Sequence, residues 1–594
     1  MSKNQELAKI FFEMAELLEM EEVEFKPRAY EKAGHSLEVL EEDIRLLYKK
    51  GGIKELEAIP AIGKGIAERI EEYLKTGKIK DYEGLKKKIP VNITELSGIE
   101  GIGPKIIKVL YRKLGIKNLK DLEKVVKAGK LRNLPRFGEK LEQKILKNIE
   151  FYKKSHERFL LSEVLPLVES IGSRLKKIKG IKNLAFSGSL RRRKETIGDI
   201  DVLIVSDKPK TAMEAFIKMP EVEYIHAKGL TKSSIRLNLG IDADLRVVKE
   251  ESFGSALQYF TGSKDHNIAL RKIAMRKGYK LNEYGLFSAK GGSASGGKKK
   301  VAGKTEKEIY KKLGLALMEP EIRENQGEIE SSQAKTLPNL IRLEDIKGDL
   351  QIQTSWTDGA NSIEEMAKEA QKLGYEYIVI TDHTKSLAMT GGLDEKGILR
   401  QIKEIDKMNS RPVPPRRAGT GKLLILTGAE ANDIKDGSRD IKDEILEKLD
   451  FVGAALHSNF HLSRKEQTNR LIKVMENPHI DIIFHPTTRI IQKRPEIELD
   501  MEEVFKQAKK TGTLLEINAY PDRLDLKDKY ARRAKELGVK FAVNTDSHSA
   551  SHLYLMKYGI FQARRGWIEK DDVVNTYPLQ KFLEFIKKPK NKRF

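Results

Sequence analysis

Residues Phe186–Val205 read FSGSLRRRKETIGDIDVLIV. A Gly-Ser pair precedes a basic turn, nine residues separate Ser189 from Asp199, and Asp201 follows at i+2. On a strand, residues i and i+2 face the same way. Both carboxylates therefore project to one side and can share divalent ions. A third acid, Asp244, lies in the later strand-like run ADLRVV. Three carboxylates on adjacent strands can hold two Mg2+ for in-line phosphoryl transfer. Gly188 permits close backbone approach, and Ser189 and Arg192 suit phosphate oxygens. Chance acids on a solvated strand edge are the plain alternative. The Gly-Ser pair, the spacing and the third Asp together argue against it.

Outward from this segment the chain changes character several times. Residues 1–155 have helical apolar spacing, as in Leu7–Leu18, punctuated by Gly-containing turns. From Leu184 short β-rich runs take over. The stretch from Tyr284 to Lys304 is a Gly/Ser/Lys loop of low complexity, expected to be mobile, and residues 321–345 read as a linker. A second loop, Arg411–Lys422, is rich in Pro, Gly and Arg and is expected to be exposed.

A chain of 594 residues is too long for one hydrophobic core, so several domains are expected. The chain has no run apolar enough for a membrane span. The first twenty residues carry acids throughout and lack a signal-peptide pattern. The absence of cysteine excludes disulfides and thiolate metal ligands and is compatible with the cytoplasm. The formal charge is +23; residues 1–345 contribute +17 of it and residues 346–594 only +6. A polyanionic partner bound by the first part is the natural reading, with a merely charge-rich surface as its rival.

Three segments of the basic part share one pattern. They are Ile59–Ile70 (IPAIGKGIAERI), Leu96–Leu110 (LSGIEGIGPKIIKVL) and Leu134–Ile145 (LPRFGEKLEQKI). Each orders an apolar residue, a Gly-containing turn and a helix start. Such a hairpin offers backbone N–H groups at a helix N-terminus, which binds phosphate without reading bases. The second copy is the clearest, with Gly101 and Gly103 in its turn and Lys105 just after. Ala61 and Arg136 stand where glycine would be ideal in the other two. One copy would pass for an ordinary helix–helix turn; three in a basic region point to DNA-backbone binding.

The last part has a regular rhythm of seven apolar runs: DLQIQ, YIVITDH, LLILTGAE, FVGAALH, DIIFHP, LLEINA and FAVNTDSH. Amphipathic helical stretches separate most of them, which argues for parallel βα units and, with seven of them, a barrel. The run ends supply Asp358, His383, Glu430, His457, His485, Asp546 and His548, at the face where barrel active sites lie. His, Asp and Glu without Cys suit the Zn2+ or Mn2+ sites of hydrolases. A lone His would be structural; four of the eleven converging here favour metal.

The runs GSLRR, GDIDVLIV, DLRVV and ALQYFTGSKDHNIALR closely resemble a family X DNA polymerase, and the C-terminal barrel resembles the PHP domain. The resemblance covers nearly the whole chain. It implies a multidomain fold. Helix–hairpin–helix modules would span 1–85 and 86–155, an α+β nucleotidyltransferase palm 156–255 and a thumb 256–320. The linker at 321–345 would lead to a (β/α)7 PHP barrel at 346–594. It also implies roles. Asp199 and Asp201 would ligate both Mg2+ or Mn2+ ions, and Asp244 the catalytic one. Ser189, Arg192 and Gly198 would hold the triphosphate of a dNTP. Tyr259, Phe260 and Gly262 would line the sugar pocket. Asn267 and Arg271 would face the base pair and template. In the barrel, Glu430, His457 and His485 would form one Zn2+ or Mn2+ site, and Asp358, His383 and His548 another. The remaining site would be Gln351, Gln353, Glu430 and Asp546, where two glutamines replace imidazoles. The related lyase domains use a lysine for Schiff-base chemistry, yet Arg69 stands at that position. Arg69 is a poor amine nucleophile, although Lys26, Tyr30 and Arg69 remain suited to a 5′-phosphate.

The expected protein is a cytoplasmic, monomeric DNA-repair polymerase acting on gapped or primed DNA, with a barrel nuclease whose first metal site is impaired. The rival reading is chiefly a 3′–5′ nuclease with weak polymerase activity. A DNA-binding scaffold is disfavoured by the intact acids. A small-molecule nucleotidyltransferase would need neither three hairpins nor the YFTG segment.

Overall fold

The computed structural model describes residues 3–594 apart from positions 41, 98, 100–101, 136, 157, 293–297, 388–389, 411–422, 433–436 and 439. Gly101, Arg136, the centre of the Gly/Ser/Lys loop and the whole Arg411–Lys422 loop thus lie outside the described residues.

The N-terminal third is helical. In the helix Lys3–Met20, Leu7, Phe11 and Met14 recur on one face and are buried. They pack with Ile44, Leu56 and Ile70 into one core. The same helix gives Leu17 and Met20 to a second core built on Leu96, Ile107, Leu110, Leu122 and Ile145. One long helix therefore joins the two hairpin-containing regions.

The central sheet has five strands: β1 (Ile181–Phe186), β2 (Asp199–Ser206), β3 (Val222–Lys228), β4 (Lys232–Leu237) and β5 (Asp242–Val247). Their order is β1-β2-β5-β4-β3. β2 and β5 are the one parallel pair, and Asp201 is the partner of Asp244, as Asp199 is of Asp242. Alternation along β2 buries Ile200 and Val202 against the helix Leu161–Lys176 and leaves the acids on the other face.

Beyond β5, the helices Phe253–Thr261 and Lys264–Arg276 lead into an antiparallel three-stranded sheet. Residues 321–345, expected as a linker, are closely packed. Arg323 is buried with Nη1 on Glu306 (2.5 Å), and Glu328 is buried against His266 Nδ1 (2.6 Å). Ile322 and Leu340 close on Trp567.

The C-terminal region is a ring of seven parallel strands. They are β6 (Gly348–Ile352), β7 (Tyr377–Ile380), β8 (Leu424–Asn432), β9 (Phe451–Ala455), β10 (Ile482–Ile483), β11 (Leu514–Asn518) and β12 (Phe541–Asn544), paired in sequence order. A parallel bridge between Ile352 and Ser547 closes the first strand onto the last. The seven apolar runs thus form the expected barrel, and its near-continuous burial fits a sheet covered on both faces. The closing seam sets Gln351 and Gln353 beside the Asp546–His548 turn. Leu524 and Tyr558, from the barrel side, join the core of the central sheet. No helix among the described residues is long and apolar enough to cross a membrane.

Candidate active sites

The first cluster is fixed by register. Because β2 and β5 run parallel, Asp201 and Asp244 stand side by side on one face, while Asp199 is exposed at the strand's start. Burial, then the charges of Asp199 and Asp244, push the Asp201 carboxyl up to about 6. Asp244 is answered by cations: Lys232 Nζ lies 2.8 Å and Arg246 Nη2 3.3 Å away, and Ser234 Oγ donates to it at 2.5 Å. Asp242, a fourth acid on this face, is tied to Arg236 and His226. Among the described residues, the two groups whose ligand atoms all lie within 4.8 Å are both in the barrel, and the three palm acids form none.

The turn before β2 shapes the phosphate side. Gly188 has φ +66°, and a Cβ there would sit 3.1 Å from Asp201 Oδ2. Glycine thus satisfies both the left-handed backbone and the crowding. Ser189 Oγ is buried without a hydrogen-bond partner. Arg192 donates through Nε to Glu324 (3.0 Å) and through Nη1 to the Thr261 carbonyl. A Cβ on Gly198 would meet Arg158 Nη1 at 2.8 Å. Of these, Arg158, Ser189 and Arg192 line one cavity of about 600 Å3, together with Lys194 and Asp199.

Tyr259 and Phe260 pack edge to face at 5.2 Å, and Arg246 stacks over Phe260 at 4.7 Å. Gly262 ends their helix at φ +69°, where a Cβ would meet Arg192 Nη1 at 3.1 Å. Asn267 is held at both ends, accepting from Gln258 Nε2 and donating to the Tyr259 carbonyl, each at 2.7 Å. Arg271 is half-buried on the same helix. Sequence reasoning gave no part to Arg158, Lys194 or Glu324. Arg158 and Glu324 lie outside any motif, and only the fold brings them to Arg192; Lys194 stands two residues after it in the opening segment.

The second cluster centres on buried Glu430. Its Oε1 lies 3.1 Å from Nε2 of both His457 and His485. Its Oε2 accepts from Gln351 Nε2 (2.9 Å) and Gln353 Nε2 (2.8 Å). Burial opposes its charge, yet His383, His457 and His485 hold Glu430 well below the usual carboxylate range. His383 faces Glu430 at 3.8 Å through Nδ1 and Asp358 at 3.7 Å through Nε2, so it belongs to both metal-competent groups, Asp358/His383/His548 and His383/Glu430/His457. Desolvation also works against Asp358, but His548 and His383 keep it down at about 2, while Asp358, against the cost of desolvation, lifts half-buried His548 to about 10. Burial pushes His457 down to about 4. Asp546 accepts from Asn518 Nδ2 (3.2 Å) and faces Arg523 Nε at 3.5 Å. Arg523 was not foreseen; it sits in the turn after β11, apart from any strand end.

In the hairpins, Gly63 and Gly103 precede helices at φ −80° and −89°. A Cβ on either, or on Gly138, would meet nothing within 4 Å. Among the described residues nothing demands glycine there, which leaves the backbone open to an outside partner. Lys105 is exposed one position into the second helix after its Pro. Ala61 holds φ +61°, the conformation glycine adopts more readily. Arg69 pairs with Asp81 and donates to the Gly65 carbonyl at 2.6 Å.

Together the fold and the two clusters define a two-module phosphoryl-transfer enzyme with sets of residues suited to metal ions. Family models match along the chain: a helix-hairpin-helix domain at 2–79, a SAM-like helix-hairpin-helix tandem at 93–150, the DNA polymerase beta thumb at 256–324 and the PHP domain at 349–520. The "DNA polymerase/3′-5′ exonuclease PolX" of Bacillus subtilis is 37% identical over 566 residues, 95% of each chain. A "Probable phosphatase" of Acetivibrio thermocellus is 31% identical over 39% of this chain and 91% of its own length. The "DNA polymerase lambda" of Arabidopsis thaliana is 26% identical over 46% of this chain and 54% of its own. The chain belongs to the PolX family, the family X DNA polymerases that carry a C-terminal PHP domain.

Proposed function

We propose that this protein is a DNA polymerase that fills short gaps with dNTPs in base-excision-type repair, and that its barrel is a metal-dependent 3′–5′ exonuclease with one impaired metal site. The observation that carries the polymerase reading is the register of β2 and β5, which sets Asp201 beside Asp244 next to the cavity of Ser189 and Arg192.

The donor chemistry fits divalent cations. Asp199, Asp201 and Asp244 offer only oxygen, as Mg2+ or Mn2+ prefers. Held by these three carboxylates, such ions would supply charge neutralisation at the transferring phosphoryl group and acidify the primer hydroxyl. Asp244 is the residue placed to help deprotonate that hydroxyl, released from Lys232 and Arg246 as they are displaced. Ser189, Arg192 and Gly198 hold the triphosphate, through a free hydroxyl, a guanidinium and close backbone approach. Tyr259, Phe260 and Gly262 form the wall under the sugar, and Asn267 fixes that wall through the Tyr259 carbonyl. Arg271 faces the template. The hairpins, with Gly101, Gly103 and Lys105 in the second, hold the DNA backbone. The protein acts as a monomer in the cytoplasm.

In the barrel, the mixed N/O donors suit Zn2+ or Mn2+. Glu430, His457 and His485 would hold one ion and Asp358, His383 and His548 the other, although among the described residues it is His383, and not His485, whose ligand atom lies within 4.8 Å of both Glu430 and His457. Buried Nδ1 atoms of His383 and His485 lack hydrogen-bond partners, which supports ligation over a purely structural role. Gln351 and Gln353 donate to Glu430 where ligands would accept a metal. Asp546 and Glu430 thus retain a weak, oxygen-rich site. Incubating labelled gapped DNA with and without dNTPs, in Mg2+ and in Mn2+, tests both activities at once. Extension should dominate with dNTPs. Degradation should appear without them and be greater in Mn2+. Degradation with no extension in any condition overturns the reading.

A further inference from the structure

We propose that the barrel supplies one wall of the nucleotide's triphosphate pocket, and that Lys527 contacts the outer phosphates. This rests on the reading of Ser189 and Arg192 as triphosphate ligands. The cavity of about 600 Å3 beside Asp199 is lined on the palm side by Arg158, Ser189, Arg192 and Lys194, and on the barrel side by Lys527 and Arg565. Two modules with separate chemistry thus share a single polar cavity.

The cavity is built for an anion. Arg192, Lys194 and Arg565 converge on one carboxylate, Glu324, at 3.0, 3.3 and 3.2 Å. Arg565 is also answered by Asp528, so Arg192 and Lys194 are the pair that Glu324 alone must balance, although Asp199 and Glu195 line the same cavity. Arg158 donates to Thr196 Oγ1 (3.0 Å) and to the Thr196 carbonyl (2.6 Å), both neutral. Burial lowers the pKa of Arg158, which marks a dehydrated cation that an anion would stabilise. Ser189 Oγ is buried with an unused hydroxyl. A polyphosphate answers all of these demands, because its oxygens accept from guanidinium, ammonium and hydroxyl alike.

The barrel side is rigid. Arg565 is buried between Asp528 and Glu324 and also donates to the Arg192 carbonyl at 3.0 Å. It holds the thumb's end and the palm turn in register with the barrel and is a positioning residue. Lys527 precedes Asp528 at the start of the helix Asp528–Glu536, so its backbone is fixed by the same lock. Its side chain is 30% exposed and its ammonium shares Glu496 (2.7 Å) with Tyr530. It lines the cavity from the barrel side, and a phosphate there would compete with Glu496 for its ammonium. Across a few ångströms of partly dry cavity, an ammonium–phosphate attraction strengthens ground-state binding without touching the reacting atoms.

Single-nucleotide insertion by the full chain on one-nucleotide-gapped DNA tests this. Lys527→Gln should raise KM for the dNTP about fivefold with kcat within about twofold, the signature of lost uniform binding. Lys527→Arg should restore it, and 3′–5′ degradation should not change. Glu496→Gln removes the lysine's acid partner but keeps its charge, so KM should stay or fall. If Glu496→Gln raises KM as much as Lys527→Gln, the lysine acts through structure and the proposal is overturned. Arg192→Gln separates the two readings. If it leaves KM unchanged, the triphosphate assignment itself fails. If it raises KM while Lys527→Gln does not, the barrel wall alone is refuted.

Discussion

The palm and the barrel mouth both gather acids, yet they hold them differently. In the palm, Asp244 leans on exposed Lys232 and on Arg246, which also stacks over Phe260, both from neighbouring strand positions. Incoming metal ions can displace such partners, and the salt bridges cost little to give up. In the barrel, Glu430 Oε2 is held by two buried amides projecting from the same strand end. Gln351 and Gln353 cannot swing out to solvent, because both are fully buried. The two regions thus differ in kind: charged partners at the palm can yield to solvent, whereas the buried amides beside Glu430 stay in the barrel and would have to turn their carbonyl oxygens toward an ion to serve it.

The sharpest way to break this comparison is to remove one palm acid. Asp201→Ala should cut extension on gapped DNA at least about a hundredfold, equivalent to about 2.7 kcal/mol. DNA binding and 3′–5′ degradation should persist, because the hairpins and the barrel are untouched. Near-normal extension by this variant in a primer-extension assay would show that the aligned Asp201 and Asp244 are not the reaction centre.

The matching cut in the barrel is His383, which belongs to both metal-competent groups. His383→Ala should lower 3′–5′ degradation by about tenfold to a hundredfold through weakened metal binding. Asp358→Ala, which touches one group, should cost less. Extension should stay unchanged in both. Equal losses, measured on a labelled single strand without dNTPs, would mean that the two groups do not share a ligand.

The sequence revealed these two sites unequally. The palm acids were readable because a strand's period of two sets Asp199 and Asp201 on one face within a single segment. Their partnership with Asp244 needed only one further strand. The barrel ligands were readable as strand ends because seven apolar runs recur with helices between them. What stayed hidden was held by contacts far apart in sequence. Glu195 accepts from Arg489 and Gln562, locking palm to barrel. Arg158 precedes a two-residue strand without any motif, and Arg523 follows β11 in a turn. Residues 321–345 looked like a linker because their polar residues are frequent. Arg323, Glu328 and His266 are instead buried as satisfied pairs, a pattern that composition does not reveal.

Acidity sharpens the contrast. The Asp201 carboxyl is raised to about 6, by burial first and then by its acidic neighbours. A raised acid is protonated as pH falls through that value, and a proton competes directly with a metal ion. Between pH 7 and pH 5 the charged fraction falls about tenfold, so the Mg2+ concentration giving half-maximal extension should rise about tenfold. Glu430 stays charged over the same range and His457, lowered to about 4, stays neutral. Degradation should therefore keep its metal requirement more nearly constant. Parallel titrations of both activities at the two pH values check this. A larger shift for degradation than for extension would reverse the comparison.

The smallest expected effect comes from restoring imidazoles to the barrel. Changing Gln351→His and Gln353→His removes two donors from Glu430 Oε2 and supplies two acceptors at the closing seam, next to Asp546. Imidazole is a better ligand than an amide for Zn2+-like ions. The double variant should bind one more metal ion per chain and degrade 3′ ends about threefold to tenfold faster, a gain of about 0.7–1.4 kcal/mol. The gain is bounded because Asp546 keeps its neighbours, Asn518 at 3.2 Å and the cation Arg523 at 3.5 Å. A guanidinium beside the site repels an incoming ion whatever the imidazoles contribute. Metal analysis of the purified variant decides the matter together with the rate. An added ion without faster degradation would assign catalysis to the His383 groups alone. An unchanged ion count would show that Arg523, and not the two amides, is what keeps the site weak.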